Sequence, residues 1–139
     1  MASYVKFHQF VEDLGCAVHN LAAAGDTLEL YLTNNTPSQA DDAVAADLVG
    51  ITEQNGYASA DIQNDYSQSS GTGTLTGVDI TWTASGGSFG PFRYAVLKNA
   101  TTTVKTDPLL CYWDYGSEIT VSEGEDFLAD VAASLATLV

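Results

Sequence analysis

Residues 92–116 read FRYAVLKNATTTVKTDPLLCYWDYG, and this stretch decides the fold class. It parses as two strands and their connection. Alternation places Phe92, Tyr94 and Val96 on one face of the first run, with Arg93, Ala95 and Leu97 on the other. In the second run Leu109, Cys111, Trp113 and Tyr115 alternate with Leu110, Tyr112 and Asp114. Aromatic and β-branched side chains suit a pleated, half-buried surface. Both runs are apolar on both faces, which predicts central rather than edge strands. Between them Asn99–Pro108 is Thr-rich and polar and ends in Asp-Pro, as a surface connection should.

Working outward, Ser85–Pro91 is a glycine-rich turn into this pair, and Val78–Ala84 alternates as a further strand. Thr27–Thr33 sets Leu28, Leu30 and Leu32 against Glu29 and Tyr31, a strand with one wet face. Residues 5–21 carry both helical and period-2 spacing. They predict an extended start with a helical turn around Phe10–Leu14. Asp41 or Asp42 is placed to cap a short helix presenting Val44, Leu48 and Ile51, stopped by Asn55-Gly56. Tyr57–Gly77 predicts one or two irregular strands in a long loop. Glu118–Val121 and Phe127–Val139 predict closing strands. Many short strands, one short helix and frequent turn signals argue a single all-β domain over residues 1–139, an antiparallel β-sandwich or jelly roll. The expected core includes Leu30, Leu32, Ile80, Trp82, Tyr94, Val96 and Trp113.

The chain has 139 residues, enough for one core, and a net charge of −14. Ten acids and one lysine fall in residues 1–66, three acids and three bases in 67–115, and five acids with no base in 116–139. Such a surface repels phosphate backbones and anionic membranes, so direct nucleic-acid binding is excluded. MASYVKFHQF lacks the apolar core of a signal peptide, and no run reaches membrane-spanning length. Without secretion signals Cys16 and Cys111 are expected as two buried free thiols.

Motifs that would carry chemistry fail on context. Gly86-Gly87-Ser88-Phe89-Gly90 matches a nucleophile elbow, but Pro91 and a strand follow where a helix is required. His8 and His19 lack metal-ligand spacing, and neither cysteine sits in CxxC. Asp61, Asn64 and Asp65, or Glu123, Glu125 and Asp126, offer oxygen ligands without an EF-hand loop, and solvated acidic turns explain them better. No catalytic, cofactor or metal residue is assigned. Trp82, Phe89, Phe92, Tyr112, Trp113 and Tyr115 are read mainly as core; exposed, they would form a platform for sugars or an interface.

Several blocks together resemble a family of small virion proteins of tailed bacteriophages. They are KFHQFVEDLGCAVHNL, DTLELYLTNNTP, AADLVGITEQNGY, ITWTASGGSFGPFRYAVLKN and DPLLCYWDYGSEITVSEGEDF, in that order and over most of the chain. GPFRYAVL and YWDYGS are the most specific. The resemblance implies a β-sandwich without catalysis, similar to a head-decoration or cement protein on the capsid surface. Its implied partners are the major capsid protein and copies of itself, as a homo-oligomer for which a trimer is one arrangement. The alternative is a tail-tip or fibre-associated domain that touches the host surface or its glycans. The resemblance carries over no site residues. From charge alone, the neutral middle and the N-terminus are expected to make the contacts. The loops Ser85–Pro91 and Asn99–Pro108 with Met1–Lys6 form this surface, and Lys6, Gly87, Phe89, Lys98 and Lys105 are its candidate residues. Asp41–Asp47 and Glu123–Asp126 are expected to face solvent. On this reading Lys98→Glu with Lys105→Glu weakens attachment, more so at low salt.

Overall fold

Two long antiparallel strands, β7 (Phe89–Asn99) and β8 (Leu109–Val121), form the spine of the computed structural model, which describes residues 2–131 and 135–138. They belong to a five-stranded antiparallel sheet in the order β1-β8-β7-β2-β3, completed by β1 (Ser3–Lys6), β2 (Leu28–Thr33) and β3 (Ala60–Asp61). The expectation of central strands thus holds for this pair. Facing the sheet are two smaller ones: β4 (Asp65–Ser69), β5 (Thr72–Thr76) and β10 (Ala136–Leu138) in the order β10-β5-β4, and β6 (Ile80–Thr83) with β9 (Asp126–Ala129). The fold is all-β with one short α-helix, α1 (His8–Gly15), and its layering is sandwich-like. The second layer is two small sheets rather than one. The β4–β5 turn uses Ser70 and Gly71, both with positive φ, as a tight hairpin requires.

The main core lies between the layers. Leu28, Leu30 and Leu32 of β2, Ala95 and Leu97 of β7, Leu110, Cys111 and Trp113 of β8, and Ile62 beside β3 meet Leu75, Trp82 and Ala129 from across the gap. A second cluster sits on the outer face of the large sheet: Phe7, Tyr31, Leu48, Tyr94, Val96 and Leu109. Both faces of β2 are therefore dry. Tyr31 was expected on a wet face, but it is 5% exposed because Phe7 and the 45–50 segment cover it. Of the expected core, six residues are buried and Ile80 is half-buried against the main cluster, but Tyr94 and Val96 belong to the outer cluster.

Three breaks in the β7–β8 register change which face several residues take. Phe89 pairs with Val121 and Phe92 with Ile119, whereas Tyr94 pairs with Asp114. Register shifts on both sides of Phe92 accompany its place on the inner face, away from Tyr94 and Val96, and on β8 they span Gly116 (φ +86). A further shift between Leu97 and Lys98 puts Leu109 outside and Leu110 inside, the reverse of strict alternation. Each such bulge inserts unpaired residues, which inverts the in–out pattern beyond it.

The helical turn expected near Phe10–Leu14 is α1. It ends where Ala17, at φ +60, takes the left-handed position and Val18 N–H donates to Asp13 O at 2.9 Å, a Schellman-type closure. The helix expected after Asp41 or Asp42 is only a 3-10 turn, Ala45–Asp47. Val44 instead bridges to Pro108, and the Asp47 carboxylate accepts the Ala43 and Val44 amides, which tightens the segment into a turn. The expected closing strands correspond to the end of β8, to β9 and to β10; residues 132–134 and 139 lie outside the described residues.

Candidate functional site

Three of the four cations are engaged in ion pairs within the chain. Arg93 Nε meets Asp114 Oδ1 at 2.8 Å, and Nη2 meets Oδ2 at 3.1 Å, a bidentate pair. Hydrogen bonding to Arg93 is the main reason the Asp114 carboxyl lies below its ordinary range. Lys98 lies between Glu29 (3.9 Å) and Asp107 (3.8 Å), with its ammonium 5.8 Å from the Tyr31 ring centre. Lys105 grips both oxygens of the buried Asp13, at 3.0 and 3.1 Å. Among the described residues Lys6 alone makes no ion pair.

This geometry corrects part of the expected contact surface. Phe89 is 1% exposed, stacked between Tyr57 and Phe92, and belongs to the core. Lys98 and Lys105 act within the fold, so reversing their charge would test folding before attachment. Gly87 is half-buried at φ +147, close over the Asn55 side chain, whose amide holds Ser88 O at 2.7 Å. Lys6 is exposed at the end of β1, as the reading required, and Met1 lies outside the described residues. Asp41, Asp47 and Glu123–Asp126 are exposed, while Asp42 is half-buried and accepts the Ser38 amide.

Ser88 precedes β7 rather than a helix, so the elbow geometry is missing there. Asn64 is buried and committed to Leu28 N–H, Leu21 O and Asp26 O. Among the described residues no three His, Cys, Asp or Glu side chains gather as a metal cluster. Cys111 is buried, which pushes its thiol well up, whereas Cys16 is exposed, against the expectation that both would be buried. Cys16 lies at the open C-terminal end of α1, where no element covers it. Trp82, Phe92 and Trp113 are buried, and Tyr112 and Tyr115 are half-buried, so the aromatic set builds the core.

Two features remain as candidates. The first is an apolar groove of about 310 Å³ between α1, β1 and β10. Tyr4, Phe10, Val11, Leu14 and Leu138 line it together with Lys6, and among the described residues no carboxylate does. Tyr4, Val11 and Leu138 are exposed there. In a chain with 18 acids, a lining whose one charge is positive stands apart. Among the described strands β1 pairs only with β8, and on its other edge Lys6 O accepts the Gln39 side-chain amide at 2.8 Å.

The second is a polar knot joining α1, the Val18–Thr27 segment and the β7–β8 connection. Asn99, fully buried, accepts the Thr101 and Thr102 amides on Oδ1 at 3.2 and 3.1 Å. Its amide nitrogen donates to Asp26 Oδ2 at 2.8 Å and faces His19 Nδ1 at 3.0 Å. Thr102 Oγ1 donates to Val18 O at 2.6 Å. Flipping Asn99 would set its NH2 against two backbone donors, so its orientation is determined. His19 Nδ1 is then an acceptor, and the proton sits on Nε2, which is buried and has no partner among the described residues. No sequence signal points to this knot, because His19 and Asn99 are 80 residues apart.

No helix among the described residues is long and apolar enough to cross a membrane. Comparison of the chain with protein-family models, with curated proteins and with solved structures finds no match.

Proposed function

We propose that the chain is a non-enzymatic structural protein of a tailed-bacteriophage virion, a decoration or cement protein that binds the assembled head through its N-terminal edge. The observation that carries this is the groove beside β1, whose described lining holds no carboxylate and has Lys6, free of ion pairs among the described residues, on its rim. An acidic protein on a larger assembly must bury area free of unpaired charge, since stranded charge is costly. The groove is such area, and the edge of β1 that no described strand pairs offers backbone groups, beyond the one Gln39 caps, for an added strand. The resemblance of the GPFRYAVL and YWDYGS blocks to virion proteins supports the same reading, and so does the absorption of the other three cations into internal pairs. The tail-tip, glycan-binding alternative has less support, because the rings it relied on lie in the core.

The test is binding to heads assembled without this chain. Wild-type protein should saturate them. Lys6→Glu should weaken binding, more at low than at high salt, because exposed charges are screened. Val11→Asp should weaken it at both. Wild-type occupancy by both variants would reject this surface.

A further inference from the structure

We infer that His19 is an acid-sensitive latch: protonating its ring breaks the polar knot and releases the β7–β8 connection from α1 and the Val18–Thr27 segment. The argument begins with the locked orientation of Asn99. Its Oδ1 is committed to Thr101 and Thr102, and its NH2 points at both His19 Nδ1 and Asp26. Neutral imidazole accepts that hydrogen bond. Imidazolium carries hydrogens on both nitrogens, so Nδ1–H would meet N–H, and two donors repel. The new proton can go only to Nδ1, since Nε2 already carries one. The ring must then turn out, or Asn99 must let go of Thr101 and Thr102.

Three charged groups face the ring. Asp13 comes from α1, Asp26 from the segment before β2, and Lys105 from the β7–β8 connection. The two carboxylates favour the charged ring and Lys105 opposes it, but burial is the largest influence and holds the ring below the ordinary histidine range. Asp13 already accepts from Lys105 and Gln9, and Asp26 accepts from Asn99 and the Asn20 amide on Oδ2, so a charged ring that turns to a carboxylate must leave its contact with Asn99. The sign follows. The unfolded chain takes up the proton near pH 6.5 and the folded one below it, so the unfolded state binds more protons in between. Stability from this site is complete above about pH 6.5 and falls as the pH drops, by up to about tenfold in the folding equilibrium per pH unit. Phe10 packs edge-on against His19 at 5.4 Å and also lines the groove, so the released segment includes part of the groove wall.

The experiment uses the free, full-length protein, so its outcome is independent of virion binding. Nitrogen-resolved NMR of the imidazole at pH 7.5 should show the proton on Nε2. As the pH is lowered from 7.5 through the ring titration, hydrogen-exchange protection at the Thr101 and Thr102 amides, corrected for intrinsic rates, should fall, by up to about tenfold per pH unit. His19→Asn keeps an acceptor near the Nδ1 position and cannot charge, so it should abolish this pH dependence. If that variant fails to fold, the wild-type comparison still decides. A proton on Nδ1 at pH 7.5, or protection at Thr101 and Thr102 that ignores the ring titration, overturns the latch.

Discussion

Lys105→Ala should destabilise the protein by about 2–3 kcal/mol. Removing one partner of a buried ion pair costs roughly 3–5 kcal/mol, because the other charge is left desolvated. Asp13 meets the condition, with 5% side-chain exposure, and Lys105 supplies a hydrogen bond to each of its oxygens. Two features lower the figure. The Lys105 side chain is 29% exposed, so water can enter when it is cut back, and Gln9 keeps its bond to Asp13 at 3.1 Å. Urea unfolding followed by fluorescence of the buried Trp82 and Trp113 reads the loss, as a midpoint shift of about 1–2 M. Lys98→Ala is the comparison. Its pairs are longer and more open, and its cost should stay near or below about 1 kcal/mol. In an Asp13→Asn background the charge is gone, and Lys105→Ala should cost under about 1 kcal/mol, the remainder being the coupling energy. Equal small losses for Lys105→Ala and Lys98→Ala, or no coupling to Asp13, would refute the claim that Lys105 serves the fold.

Phe92→Ala should cost about 3–5 kcal/mol, as expected for a fully buried ring packed on Phe89 and Phe127; an unfolding curve shifted by less than 1 kcal/mol would put Phe92 back on an open face. Ala17→Gly should stabilise by about 0.5–1 kcal/mol, since glycine takes the left-handed φ without the side-chain penalty, and calorimetry checks the sign. A thiol reagent should label Cys16 in the native protein and reach Cys111 only on unfolding, because burial both shields that thiol and disfavours its thiolate. The Asp114 carboxyl is depressed by Arg93, so its contribution is present above the ordinary aspartate range near pH 3.9 and is lost as the pH falls through its lower folded value. Asp114→Asn should therefore flatten the acid limb of stability below about pH 4 and leave the pH 5–7 window, where His19 acts, unchanged.

Period-2 alternation made the strands legible. β2, β6, β7 and β8 all fall where Leu30, Trp82, Tyr94 and Trp113 announce them, and the all-β class follows from their number. Faces were less legible than strands. Phe92 and Leu109 sit opposite to their alternation where the β7–β8 register shifts, and such a shift leaves little trace in residue type beyond Gly116. The apolar pattern also does not say how many layers cover a sheet. Tyr31 looked wet because nothing in Leu28–Thr33 tells that Phe7 and Leu48 pack over it. The short helix after Asp42 failed for a local reason, since Asp47 turns back on Ala43 and Val44. Site residues suffered most. Charge counting marked Lys6, Lys98 and Lys105 alike, and only three-dimensional pairing separates the free one from the two that are engaged.

The stoichiometry of this chain in purified virions, measured by quantitative mass spectrometry against the major capsid protein, tests the proposed role most directly. A decoration protein occupies every equivalent position of a symmetric shell, so the account predicts on the order of a hundred copies or more per particle. These copies should be lost from particles carrying Lys6→Glu when washed at low salt. A handful of copies per particle, or none, would contradict it.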